Sequence, residues 1–175
     1  MFLRSCALAL VAMLTVAAPA LAETVKVGDL EITDAWARAT PPGAHTAAAY
    51  LTVKNTGAAA DTLTAVETQA AGMAMLHKME MDNGVMKMRM VEGGIAIAPG
   101  KTVTLDPNGL HIMLMDMTDP LKAGSTLQVK LTFAKAGTVA VTMPVLPVGS
   151  KGPQATAPAK TDDMSGMDMS KPKGN

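Results

Sequence analysis

The chain has 175 residues with 15 basic and 15 acidic side chains, three histidines, one cysteine and 16 methionines. Charge of both signs is scattered along it, which excludes the basic stripe of a nucleic-acid binder and the cationic face of an anionic-membrane binder. Aromatic residues are reduced to Phe2, Trp36, Tyr50 and Phe133.

Residues 1–22 read as an export signal. Arg4 supplies a positive start, an apolar run follows, and the small residues Ala20 and Ala22 frame a cleavage site before Glu23. The run is shorter than the roughly 20 apolar residues of a membrane span, so no stable membrane insertion is expected after cleavage. Cys6 leaves with the signal. The exported chain then has no disulfide and no thiolate, which excludes thiol redox chemistry, blue-copper ligation and cysteine-based zinc sites.

Residues 23–148 read as one all-β domain. Strand-like segments follow in order as DLEITDAWAR, AAAYLTVKN, TLTAVET, MAMLHKMEM, VMKMRMV, TVTL, LHIMLMDM, TLQVKLTF and TVAVTMPV. Turn residues separate them at Pro41-Pro42-Gly43, Asn55-Thr56-Gly57, Asn83-Gly84, Pro99-Gly100, Pro107-Asn108-Gly109 and Ala136-Gly137. Short strands at this spacing indicate a sandwich or barrel. Trp36 and Tyr50 are expected in the core, and His45 on an exposed loop. From Gly149 onward Pro, Gly, Ser, Lys and Asp dominate without apolar periodicity, which predicts a disordered tail over 149–175.

The chemistry lies in two strand segments. In MLHKMEMDNGVMKMRMV, Asn83-Gly84 is a two-residue hairpin turn signal. It pairs Asp82 with Val85, Met81 with Met86, Met79 with Met88 and His77 with Met90. Alternation then puts His77, Met79, Met81, Met86, Met88 and Met90 on one face, and Lys78, Glu80, Asp82, Lys87 and Arg89 on the other. In LHIMLMDM, His111 and Met113 point the same way. Methionine also fills cores, and that is the expectation for Met73, Met75, Met115, Met117 and Met143. Two histidines, each on a methionine face, argue instead for a ligand set. Thioether sulfur is a soft, neutral donor that prefers Cu(I). A thioether also avoids the oxidation that removes cysteine outside the cytosol. No carboxylate pair, nucleophile triad or phosphate loop is present, so an enzyme is not expected.

The sequence resembles the periplasmic copper chaperone family PCu(A)C. That family's motif is His, ten residues, Met, twenty-one residues, His, one residue, Met. Here ten residues separate His77 from Met88, and His111-Ile112-Met113 supplies the second half. The interval Arg89 to Leu110 is twenty-two residues, one longer than the motif, with the extra residue assigned to Gly93-Gly94. ITDAWARATPPGAHTAAAYLTVKN and GLHIMLMDMTDPLKAGSTLQVKLTF resemble the family too. The resemblance implies a cupredoxin-like Greek-key β-sandwich in the periplasm that binds one Cu(I) through His77, Met88, His111 and Met113; a monomer is expected. It also implies delivery toward the CuA centre of cytochrome c oxidase subunit II, directly or with a Sco-type protein. Met79 and Met90 remain alternative sulfur donors. Met164, Met167 and Met169 in the tail are candidates for a second ion, without the histidine that relatives often carry there. Two other functions compete: a copper buffer that takes up several ions, and a metal-free adhesion or assembly module.

Overall fold

The computed structural model describes residues 24–153. The expected signal and the tail methionines Met164, Met167 and Met169 lie outside the described residues. Within them the chain is all-β. Its strands are β1 (Val25–Val27), β2 (Leu30–Arg38), β3 (Thr46–Asn55), β4 (Asp61–Glu67), β5 (Ala71–Asp82), β6 (Val85–Met90), β7 (Ile95–Ile97), β8 (Thr102–Leu105), β9 (Leu110–Met117), β10 (Thr126–Phe133) and β11 (Gly137–Leu146). Nine of the eleven coincide with the strand-like segments of the sequence. The two that the sequence hides, β1 and β7, are three residues each, too short for a period-two pattern to register.

The strands follow one hydrogen-bonded path, β6-β5-β9-β8-β3-β2-β11-β10-β4-β7, with β1 beside β2. The path doubles over at β11, which pairs antiparallel with β10 along most of its length and then parallel with β2 at Val145 and Leu146. One layer therefore holds β2, β3, β5, β6, β8 and β9; the other holds β4, β7, β10 and most of β11. Both contribute to a single core: Ile32, Leu51, Val53, Leu76, Ile112 and Leu114 from the first, Leu63, Leu131, Val141 and Met143 from the second. Each such side chain contributes about 1.5–3 kcal/mol by leaving water.

Polar staples close the open ends. Asn55, fully buried, donates Nδ2 to the carbonyls of Ala59 and Ile97 and accepts from the Gly57 amide. Asp61 accepts from the amides of Thr62, Lys135 and Ala136, which fastens β4 to the turn after β10. The β6–β7 turn uses Gly93 and Gly94 at φ 76° and 87°. Space is open at Gly93, but a Cβ on Gly94 would meet the Leu63 carbonyl oxygen.

Two left-handed residues decide which side chains face outward. Asp34 (φ 51°) sits in a bulge of β2 between Thr33 and Trp36. Ile32 points into the core before the bulge and Ala37 after it, so the alternation changes phase. Trp36 and Tyr50 are buried as expected, but outside the cluster that lies between the two layers. Both rings are buried, but on the outer face of the first layer, 4.5 Å apart under the Arg38 guanidinium. Asp116 (φ 54°) does the same in β9, leaving Met115 part-exposed and turning Met117 inward.

Candidate metal centre

The site is built on the outer face of β6, β5 and β9. Asn83 and Gly84 adopt φ 51° and 80°, the left-handed pair that a two-residue turn requires. The β5–β6 register is the one the turn predicts: His77 opposite Met90, Met79 opposite Met88, Met81 opposite Met86. The β5–β9 register then sets His77 opposite His111 and Met75 opposite Met113. Because Leu76, Ile112 and Leu114 fill the core, their alternating neighbours Met75, His77, His111 and Met113 must face away from it.

The result is one row, Met90–His77–His111, flanked by sulfur rungs. The imidazole rings are 5.9 Å apart between centroids and inclined at 70°. One ion with metal–nitrogen bonds of about 2 Å fits between rings at that spacing. Met113 lies diagonal to His77, and Met88 lies diagonal to it on the other strand. Diagonal neighbours are about 7–8 Å apart, within reach of long side chains. Met90 stands directly opposite His77, so register alone leaves Met79, Met88 and Met90 as hairpin sulfur donors.

The two histidines differ. His111 is buried, and its Nδ1 lies 3.1 Å from the Gly109 carbonyl oxygen. With Nδ1–H donating there, Nε2 keeps its lone pair for a metal, the usual orienting device for an imidazole ligand. On β3, Tyr50 comes one residue beyond the Ala49–Ile112 pair on the same outer face. His77 is half-buried, and its buried Nδ1 has no hydrogen-bond partner among the described residues. Burial, and secondarily the neighbouring His111, push its pKa below the usual imidazole range, so the neutral, metal-competent form is favoured.

No group of three or more His, Cys, Asp or Glu occurs among the described residues. The carboxylates of the hairpin lie on its opposite face, where Lys87 and Arg89 pair with Asp82 and Glu80. His45 is exposed before β3, at the far end of β9 from His111, and takes no part.

The methionines expected in the core divide. Met117 and Met143 are buried, but Met73 is 46% exposed and Met75 and Met115 are part-exposed. Met73 faces Met115 in the rung beyond Met75–Met113. The sequence signal that separates the groups is the neighbour on each side: Leu76, Ile112 and Leu114 claim the core.

Comparison with known proteins bears on the family and the fold. The LpqE-like lipoprotein family model matches residues 30–145. The lipoprotein Lxx21020 of Leifsonia xyli subsp. xyli is 35% identical over 129 residues, covering 73% of this chain and 76% of its own. Among solved structures, the apo PCuAC domain from PmoF1 matches with TM-score 0.60 at 28% identity, covering 70% of this chain and 98% of that one. The copper-bound PCuAC domain from PmoF2 matches with TM-score 0.61 at 26% identity, covering 71% and 98%. The CuI-DR1885 solution structure from Deinococcus radiodurans matches with TM-score 0.55 at 30% identity, covering 71% and 80%. The chain belongs to the LpqE-like family, as a β-sandwich of the PCu(A)C kind.

Proposed function

We propose that this protein is an exported copper carrier that holds one Cu(I) on the outer face of β5, β6 and β9 and releases it to an acceptor. His77, His111 and Met113 supply three donors and Met88 the fourth, with Met79 and Met90 adjacent. The carrying observation is the row in which His77 and His111 face each other, 5.9 Å between ring centroids, bordered on both sides by thioethers. Copper-bound relatives of the same fold support the choice of ion.

The donor set also explains carriage rather than catalysis. Four neutral ligands leave the ion monovalent and soft, with no activated water. The hairpin half of the site is exposed: Met88 and Met90 are 47% and 53% accessible. An acceptor can therefore displace one sulfur while the buried His111 still holds the ion. Fitting acceptors are copper-receiving proteins outside the cytosol, such as a CuA-bearing oxidase subunit II or a Sco-type dithiol protein.

The test is a Cu(I) titration against a competing chelator. Wild type should bind one ion tightly. His77→Ala and His111→Ala should each weaken binding at least tenfold, about 1.4 kcal/mol. Met88→Leu, which keeps side-chain volume, should weaken it while Met90→Leu does not. Undiminished affinity in the double histidine variant would overturn the reading.

A further inference from the structure

The methionine ladder continues past the row described above. Beyond the Met79–Met88 rung, Met81 faces Met86 at the end of the hairpin. Met81 is 63% exposed and Met86 46%, so neither fills a cavity. Of the seven exposed large apolar side chains among the described residues, five are methionines: Met73, Met81, Met86, Met88 and Met90. These exposed thioethers give the outer face soft donors.

Distance makes the tip separate. Met81 is four residues from His77 along β5, about 13 Å at the usual strand rise. The tip rung thus stands two rungs beyond the histidine row, on the side away from Met113. Cross-strand partners, in contrast, have Cβ atoms about 4.5–5.5 Å apart. Two metal–sulfur bonds of about 2.3 Å each span a comparable gap. The Met79–Met88 rung lies between tip and row and can lean toward either. The charged face behind the tip is committed to itself: Asp82 pairs with Lys87 at 2.7 Å and with Arg89 at 3.3 Å, and Glu80 with Arg89 at 3.3 Å. These bridges tie the two strands together and leave thioethers as the tip's free donors.

We propose that Met81 and Met86, assisted by Met79, form a second, imidazole-free site for a soft monovalent ion, at which copper lands before reaching the histidine row. This rests on the soft-ion reading of the row but adds a distinct location and a second ion. Passage inward is ligand exchange alone: the ion keeps its charge and electrons, and no proton leaves a thioether. An all-thioether site also binds without regard to histidine protonation.

The probe is Ag(I), a redox-inert soft ion, titrated into the exported chain with its tail retained and its methionine methyls labelled with 13C. The first equivalent should shift the imidazole signals of His77 and His111 together with Met113. The second should shift the methyls of Met81 and Met86. Met81→Leu combined with Met86→Leu should abolish the second event at the hairpin and leave the first at its wild-type position. Later equivalents moving only Met73 and Met115, or only Met164, Met167 and Met169, would overturn the tip site. A first equivalent that leaves both imidazoles unmoved would instead overturn the histidine row, whatever the tip does.

Discussion

Asp61 separates what holds the sandwich together from what holds an ion. Its carboxylate is buried and accepts three backbone amides, at 2.7 Å from Thr62 and 2.9 Å from both Lys135 and Ala136. The last two belong to the turn between β10 and β11. Asp61→Ala strands both amides. A hydrogen bond to a charged group contributes about 1.5–3 kcal/mol, so losing these two should cost about 3–6 kcal/mol. For a domain of this size that lowers the melting temperature by roughly 10 °C or more. Asp61→Asn, which keeps an acceptor oxygen without the charge, should cost less. Burial alone would raise the pKa of Asp61, but the three amide donors and Lys135 outweigh it and hold the carboxyl below its usual value. Its contribution is therefore fully present above the unfolded pKa of about 3.9 and fades as pH falls through the folded value. Thermal melts between pH 7 and pH 3 read this directly: the wild-type advantage over Asp61→Asn should shrink on acidification. A cost below about 1 kcal/mol for Asp61→Ala, or an advantage that grows in acid, would refute the reasoning. Because Asp61 is in the other layer, Cu(I) affinity of the folded variant should be unchanged.

Further outcomes follow from single contacts. Gly94→Ala forces a Cβ against the Leu63 carbonyl at φ 87°, and should destabilise by at least the 1–3 kcal/mol of a left-handed non-glycine residue, whereas Gly93→Ala carries only the backbone part; denaturant titration compares the two. Arg38→Ala removes a guanidinium 5.8 Å and 5.6 Å from the Trp36 and Tyr50 ring centroids, and its bond to the Ser150 carbonyl. It should cost about 1–2 kcal/mol and change the Trp36 fluorescence. Replacing Asn83-Gly84 with Ala-Ala penalises both left-handed turn positions, and should weaken Cu(I) binding by loosening the register that brings β6 sulfur to His77.

Much of this was legible in the chain. The hairpin register follows from Asn83-Gly84 and period two, and the structure reproduces every pair from Asp82–Val85 to His77–Met90. The facing of His77 and His111 was not legible, because it depends on a long-range register between β5 and β9 that no local signal fixes. The phase changes at Asp34 and Asp116 were hidden for another reason. A single aspartate in a left-handed conformation, which Asp tolerates better than most residues, looks like any solvated carboxylate. Missing them hides which face Trp36 is buried on and why Met115 and Met117 part company. The outward face of Met73 and Met75 became clear only once Leu76 was seen to point inward.

X-ray absorption at the copper edge, on protein carrying one equivalent of Cu(I), tests the central claim most directly. The account predicts a mixed shell of imidazole nitrogen near 2.0 Å and thioether sulfur near 2.3 Å, with the nitrogen contribution lost in the His77→Ala, His111→Ala variant. A shell of nitrogen and oxygen alone, or one unaltered by removing both histidines, would contradict it.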